Sequence, residues 1–265
     1  MALRIAGSLT LPSFFRAHED SLDTRSGHLT PPRALQYVRE LHDALSSNGA
    51  VDAVGVSLGY PLGSVWVHRV SAPDGGPSEQ LELRMTGVSE DYFKVLGIPV
   101  LQGRAFTKEE AFAAGAMSGD GVIVSQSLAS RLFGTSDPIG RTFFMEHGSV
   151  KHPVVIGVVD DVMTDVDSGQ PELSVYEPFA RSEPLITRPI ILVKSTLGAR
   201  GATELLRAAG ARIDPTAPFR ATGRCSSRSI AAWPTGGCSH GSCRSSAVWG
   251  SHSRQSASTV CCRRA

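Results

Sequence analysis

The sequence predicts an α+β fold with two lobes and a disordered C-terminal tail. Three observations lead there. Segments alternating with period two lie among short helical segments that carry their own caps, which points to mixed, mostly antiparallel pairing rather than a doubly wound sheet. A strand-helix-strand pattern opens the chain and a strand-helix pattern closes it, so the residues between them read as an insertion. Beyond Asp214 there is no acidic residue.

The elements follow in order. Residues 3 to 11, "LRIAGSLTL", read as a strand, and Arg16 to Thr30 is polar enough to read as a loop. "TPPRALQYVRELHDALSSNGA" predicts a helix capped by Thr30, with prolines in its first turn and an end at Asn48-Gly49. Leu35, Val38, Leu41 and Leu45 share one face of it. "VDAVGVSLG" (51–59) is the next strand. "SVWVHRVSA" (64–72) and "EQLELRMTGVS" (79–89) alternate, and "PDGGP" between them predicts a hairpin. "DYFKVLG" is a short helix stopped at Gly97, and "TKEEAFAAGA" (107–116) another, capped by Thr107. "GVIVSQSLASRLFG" (121–134) runs from strand into helix, with Ser125 as cap and Leu128, Leu132 and Phe133 facing a core. "RTFFMEHG" and "KHPVVIGVVDDV" read as a strand pair; "LSVYEPFA" (173–180) and "PIILVKS" (189–195) are further strands. "ARGATELLRAAGARID" (199–214) is an amphipathic helix bearing Leu205, Leu206, Ala209 and Ile213 near one face. The expected division is a domain over 1–219, with lobe one at about 1–60 plus 185–219 and the inserted lobe at about 61–184. The tail covers 220–265.

Composition narrows the function. The 265 residues carry a net charge of +1, which argues against a nucleic-acid partner. Seven of the 26 basic residues and none of the 25 acidic ones lie from Arg220 onward, so the body is about −6 and the tail about +7. All five cysteines are in the tail, so the body suits an oxidising compartment without requiring one. No run of about 18 apolar residues exists, so no transmembrane helix is expected in this chain. "MALRIAGSLTLPSFF" is too broken by Gly7 and Ser8 for a signal peptide.

Candidate chemistry is sparse. "GVSLG" (55–59) matches the G-x-S-x-G nucleophile elbow, with Ser57 as the nucleophile of a serine hydrolase. That motif needs a helix to start at the Ser, whereas Pro61 and Gly63 follow and then a strand. "GTSDPIGRT" (134–142) is close to a phosphate-binding loop, but it has one residue too many, Arg141 in place of Lys, and a strand after it. "DDVMTDVDSG" (160–169) holds four aspartates at spacings that do not match a calcium loop. His18, His28, His42, His68, His147 and His152 have no second ligand at metal spacing. In the tail, Cys225, Cys238, Cys243, His252, Cys261 and Cys262 offer donors for a zinc-binding regulator, yet only Cys238 and Cys243 are suitably spaced and the tail lacks a core composition. No catalytic residue, cofactor site or metal site is expected.

Four blocks in order resemble the periplasmic core domain of MacB-type ABC transporter permeases, also found in FtsX- and LolC-like relatives. They are "VSEDYFKVLGIPVLQGRAFT", "VIVSQSLASRLFGTSDPIGRTF", "VVIGVVDDV" with "QPELSVYEPFA", and "LVKSTLG" with "LLRAAGARIDPTAPF". The resemblance runs from about residue 33 to 219. It implies a β-α-β lobe like that of efflux-pump porters, with an inserted lobe, on the periplasmic face of the bacterial inner membrane. It implies no active site, and a role in passing motion from a cytoplasmic ATP-binding subunit through a permease dimer, with a periplasmic partner protein. Family substrates range over drugs, peptides and lipoproteins, and some relatives activate cell-wall hydrolases. The flanking membrane helices of the family pattern are not in this sequence. The abrupt switch to Arg, Ser and Cys leads us to expect a frameshift near residues 220 to 230, which apolar runs of about 20 residues in another reading frame would confirm.

Overall fold

The computed structural model describes residues 17–22, 30–58, 64–71, 79–113, 120–147, 149–162, 171–181, 189–216 and 219–225. The strand expected at residues 3 to 11 and most of the tail lie outside them.

The first helix, α1 (Pro31–Ser46), begins where expected. Thr30 holds an extended conformation and its carbonyl accepts the Ala34 N–H at 2.8 Å, although its hydroxyl makes no capping bond. Leu35, Val38, Leu41 and Leu45 are all buried, together with Ala34, Tyr37 and His42. The turn after it is held by Asn48, whose side-chain oxygen accepts the Ala50 N–H at 3.0 Å. Strand β2 (Val51–Leu58) follows, buried on both alternating sets of positions from Ala53 to Ser57. Both of its faces are therefore covered.

The predicted hairpin is present. Strands β3 (Ser64–Ser71) and β4 (Glu79–Val88) pair antiparallel, from Ser64 opposite Met85 to Val70 opposite Glu79. Next come α2 (Tyr92–Leu96), β5 (Val100–Gly103), α3 (Lys108–Phe112), β6 (Gly121–Ser125) and α4 (Gln126–Phe133). Thr107 caps α3 through a full capping box, and the Ser125 hydroxyl accepts the Leu128 N–H at 3.4 Å to cap α4. Then follow β7 (Phe144–His147), β8 (Ser149–Lys151), β9 (Val154–Val159), β10 (Ser174–Pro178), β11 (Pro189–Ser195) and α5 (Gly198–Ile213).

Two expectations need correction. The polar stretch from Arg16 to Thr30 contains strand β1 (Ala17–Leu22), which pairs with β11 on one side and with β12 (Phe219–Cys225) on the other. Its charged sequence has little β propensity; backbone pairing along both edges overrides that preference. The segments around 144 and 156 do not form a strand pair with each other. An isolated bridge between Thr142 and Val154 and a few backbone hydrogen bonds join them, while β7 pairs with β3 and β8, and β9 with β6 and β5. Strand β12 also carries regular structure past the composition break at Arg220.

The described residues form a mixed sheet of twelve strands with the order β12-β1-β11-β2-β4-β10-β6-β9-β5, extended from β4 through β3, β7 and β8. The α+β class is borne out. Among the described strands, only β4–β10 and β6–β9 run parallel. The sheet is uneven along its width: β2 meets β11 over seven register pairs, β4 meets β10 over five, and β2 meets β4 at Ser57–Val88 alone. The larger hydrophobic core joins α1, β2, β11 and α5 to residues 88–112 and to Tyr176, Phe179 and Ala180. A smaller one, around Leu83, Val124, Leu128 and Phe143, lies wholly within residues 70–175.

Candidate functional site

The residues that suggested chemistry are spent on structure. Ser57 is fully buried inside β2, opposite Ile190 on β11 and Val88 on β4, and the strand continues through Leu58. Its neighbour Gly55 makes room for a helix: a Cβ at that position would lie 3.1 Å from Tyr92 Cα. The glycine of the apparent nucleophile elbow thus serves helix-on-strand packing.

The loop over 134–142 is a turn in which several backbone donors already have partners. The Ser136 N–H donates to the Phe133 carbonyl, Gly140 to Val155 and Arg141 to Pro138, while Asp137 accepts the Ile139 N–H at 3.0 Å. The Arg141 guanidinium stacks 5.1 Å from the Phe133 ring centroid. A shallow cleft of about 410 Å³ adjoins this turn, lined by polar groups such as Gln102, Gln126, Ser130 and Thr135.

Of the aspartates in 160–169, Asp160 and Asp161 lie in the described residues. Asp161 accepts the Ser127 N–H at 2.8 Å and the Ser127 hydroxyl at 2.6 Å, holding the first turn of α4. No cluster of three or more His, Cys, Asp or Glu among the described residues is placed to hold a metal ion. Cys225 belongs to β12; Cys238, Cys243, His252, Cys261 and Cys262 lie outside the described residues.

Residues 88–112 begin where the sheet is narrowest and run out to its edge strand β5. Val88 makes the single register pair with Ser57. Ser89, fully buried, then grips β2 twice: its hydroxyl accepts the Val56 N–H at 2.9 Å and its own N–H donates to the Val56 carbonyl at 3.0 Å. One turn later Tyr92 and Phe93 enter the larger core. Phe93 meets Tyr176 edge-on at 4.9 Å and Tyr92 at 5.4 Å, the geometry that aromatic quadrupoles favour. Burial pushes the Tyr176 phenol up to about 12, so the ring stays neutral.

Gly97 ends α2 in a left-handed conformation, φ 71°, and the Ile98 N–H closes back on the Phe93 carbonyl at 2.9 Å. Gly103 is left-handed too, and a Cβ there would fall 2.2 Å from the Ile156 carbonyl oxygen. Arg104 next to it grips Glu110 with two hydrogen bonds, at 2.6 and 2.7 Å. Glu110 also accepts the Thr107 N–H, closing the capping box, and the Arg104 guanidinium holds its carboxyl below the usual range. Phe106, between Arg104 and Thr107, is buried in the larger core.

Helices α1 and α3 and the β4–α2 turn converge beside this segment. The convergence buries His42 next to Glu90, whose carboxyl is pushed up by desolvation. The sequence offered no signal for that pair, because 48 positions separate its members.

Residues 12–204 match the family model of the MacB-like periplasmic core domain. A macrolide export ATP-binding/permease protein, MacB 1/2 of Paracoccus denitrificans, is 28% identical over 96 residues, 36% of this chain and 13% of that protein. MacB of Aggregatibacter actinomycetemcomitans, with the same description, is 28% identical over 139 residues, 48% of this chain and 20% of that protein. The matches thus span a fifth or less of these curated relatives. The crystal structure of the periplasmic region of MacB from Actinobacillus actinomycetemcomitans superposes with a TM-score of 0.51 at 18% identity, over 80% of this chain and 89% of that one, a likeness of fold. With the family model covering well over half of its length, the chain belongs to the MacB-like periplasmic core domain family of ABC transporter permeases.

Proposed function

We propose that this chain works mechanically, as a non-catalytic extracytoplasmic domain on the periplasmic face of a bacterial inner membrane. In this reading a cytoplasmic ATP-binding subunit drives a permease dimer, and the domain converts that motion into an outward conformational change for export or for lipoprotein or peptide handling. A periplasmic partner protein receives the motion. The domain has two lobes, one at about 1–60 plus 185–219 and the other at about 61–184.

The observation that carries the reading is the joint at Ser57–Val88. On one side of it stand β12, β1, β11 and β2, drawn from the two ends of the described chain. On the other stand β4, β10, β6, β9 and β5, drawn from its middle. A narrow joint between two well-paired strand groups suits small rotations of one against the other. The complete burial of Ser57 supports the absence of hydrolase chemistry. The names of the two curated relatives, macrolide exporters, support export.

A chimera tests the proposal. Residues 12–204 would replace the matching domain of a macrolide-exporting permease, with macrolide resistance and ATP hydrolysis as readouts. Retained resistance is expected. A chimera that reaches the membrane and hydrolyses ATP but leaves cells sensitive would sink the coupling role. Labelling of Ser57 by a fluorophosphonate probe would instead restore the hydrolase reading.

A further inference from the structure

Helix α1 carries an imidazole on its buried face. His42 is 4% exposed, and its Nε2 lies 3.3 Å from Oε1 of Glu90 in the β4–α2 turn. Its Nδ1 lies 3.3 Å from Asp43 Oδ1, and its ring packs against Phe112 of α3 at 5.3 Å between centroids. Three elements therefore meet on one titratable ring.

The charged groups around the pair are few. From α1 comes Asp43, already engaged by Lys108 Nζ at 2.5 Å. From the β4–α2 turn comes Asp91, which adds negative charge near Glu90, and from α3 comes Lys108 itself, which acts on Glu90 at longer range. Among the described residues, His42 is the only cationic group within ion-pair distance of Glu90. His42 Nε2 and Glu90 Oε2 are both buried, and neither finds a hydrogen-bond partner among the described residues. A polar core that is this incompletely satisfied depends on its charge state.

We propose that His42 and Glu90 form a proton-operated latch between helix α1 and the β4–α2 turn, closed when the imidazole is protonated and loosened when it is neutral. The physical reason is counter-charge. A carboxylate facing an imidazolium in a partly dry site is attracted to it. The same carboxylate facing a neutral imidazole keeps its desolvation cost without compensation. Burial by itself acts on Glu90 in a separate way: it raises the folded-state pKa and so favours the uncharged carboxyl at the acid end. Such a group supports the fold below its unfolded value and loses that support as pH rises through the folded value. The ion pair exists only while Glu90 is ionised, and from there loss of the imidazole proton loosens the latch toward alkaline pH. Because α1 and the β4–α2 turn belong to opposite sides of the Ser57–Val88 joint, the latch adjusts how firmly those sides hold together.

Native-state amide exchange on the full 265-residue chain tests this, read between about pH 5 and 8, where imidazoles change charge. Rates are corrected for the intrinsic pH dependence of exchange. Protection in α1 and in residues 88–98 is expected to fall about tenfold across that range, the equivalent of one unit of coupling. Amides of β6 and α4 should change little. Glu90→Gln should flatten the profile. A flat wild-type profile, or an unchanged slope in Glu90→Gln, overturns the latch. If Glu90→Gln does not fold, NMR titration of the wild type decides: the His42 ring and the Glu90 carboxyl must report the same macroscopic midpoints, and independent midpoints overturn the proposal.

Discussion

Leu41 and Leu206 share a core with Phe93 and Phe179, residues drawn from both ends of the described chain and from its middle. Phe143, Leu128 and Val124 share another whose buried members all fall between residues 70 and 175. The two are built from similar side chains and are equally dry, yet only the first crosses the joint between β2 and β4. Burial alone therefore does not distinguish a residue that consolidates one strand group from a residue that ties two together. Position relative to the narrow joint does, and it makes the start of the patterned segment, residues 88–96, a brace where backbone pairing is thin.

Paired truncations press hardest on that difference. Phe93→Ala and Phe143→Ala each remove a fully buried ring and should each cost about 3–5 kcal/mol in denaturant unfolding. Their exchange patterns should differ. Phe93→Ala is expected to expose amides in both α1 and β10, whereas Phe143→Ala should affect β6, β7 and α4 and leave α1 protected. Identical patterns would erase the distinction between the cores.

A smaller effect sharpens it at the glycines. Gly103 and Gly140 both have positive φ, 68° and 76°. A Cβ at Gly103 collides with the Ile156 carbonyl, while a Cβ at Gly140 meets nothing within 4 Å. Gly140→Ala should cost about 1–2 kcal/mol of backbone strain. Gly103→Ala should cost more than that, because β5 must also move off β9. Equal midpoint shifts in urea would mean that the edge strand yields freely.

The smallest effect concerns the ion pair at the far end of the patterned segment. Arg104 lowers the folded-state pKa of Glu110 from its ordinary 4.5. The associated stability is present above that value and is lost as pH falls through the lowered one. Both side chains are partly exposed, so Glu110→Gln should cost about 1 kcal/mol or less at neutral pH and should shallow the acid limb of the stability curve. An acid limb as steep as the wild type's would assign that slope to other carboxylates.

Legibility tracked sequence distance. Thr107 and Glu110 are three positions apart, and their capping box could be read directly from the residues. So could the stop at Gly97, the apolar face of α1 and the Ser125 cap. Strand β1 could not, because "AHEDSL" owes its conformation to partners about 170 to 210 positions away. The Asp161 clamp on Ser127 and the His42–Glu90 pair were hidden for the same reason. Gly55 misled in a different way: its motif suggested a nucleophile elbow, and only the packed helix shows what the missing side chain is for. The resemblance recovered the family because it rests on blocks whose internal spacing is local, even though the contacts those blocks make are not.

A twelve-stranded sheet that narrows to one register pair behaves like a notched plate. Load applied at either end concentrates at the notch, where the cross-section is least. Ser89, with two bonds to one residue of β2, and Tyr92, packed over Gly55 of β2, then act as a doubler riveted across it. The compliance of the whole plate is set by the few residues at that notch, so evolution can retune it there without touching the rest of the fold.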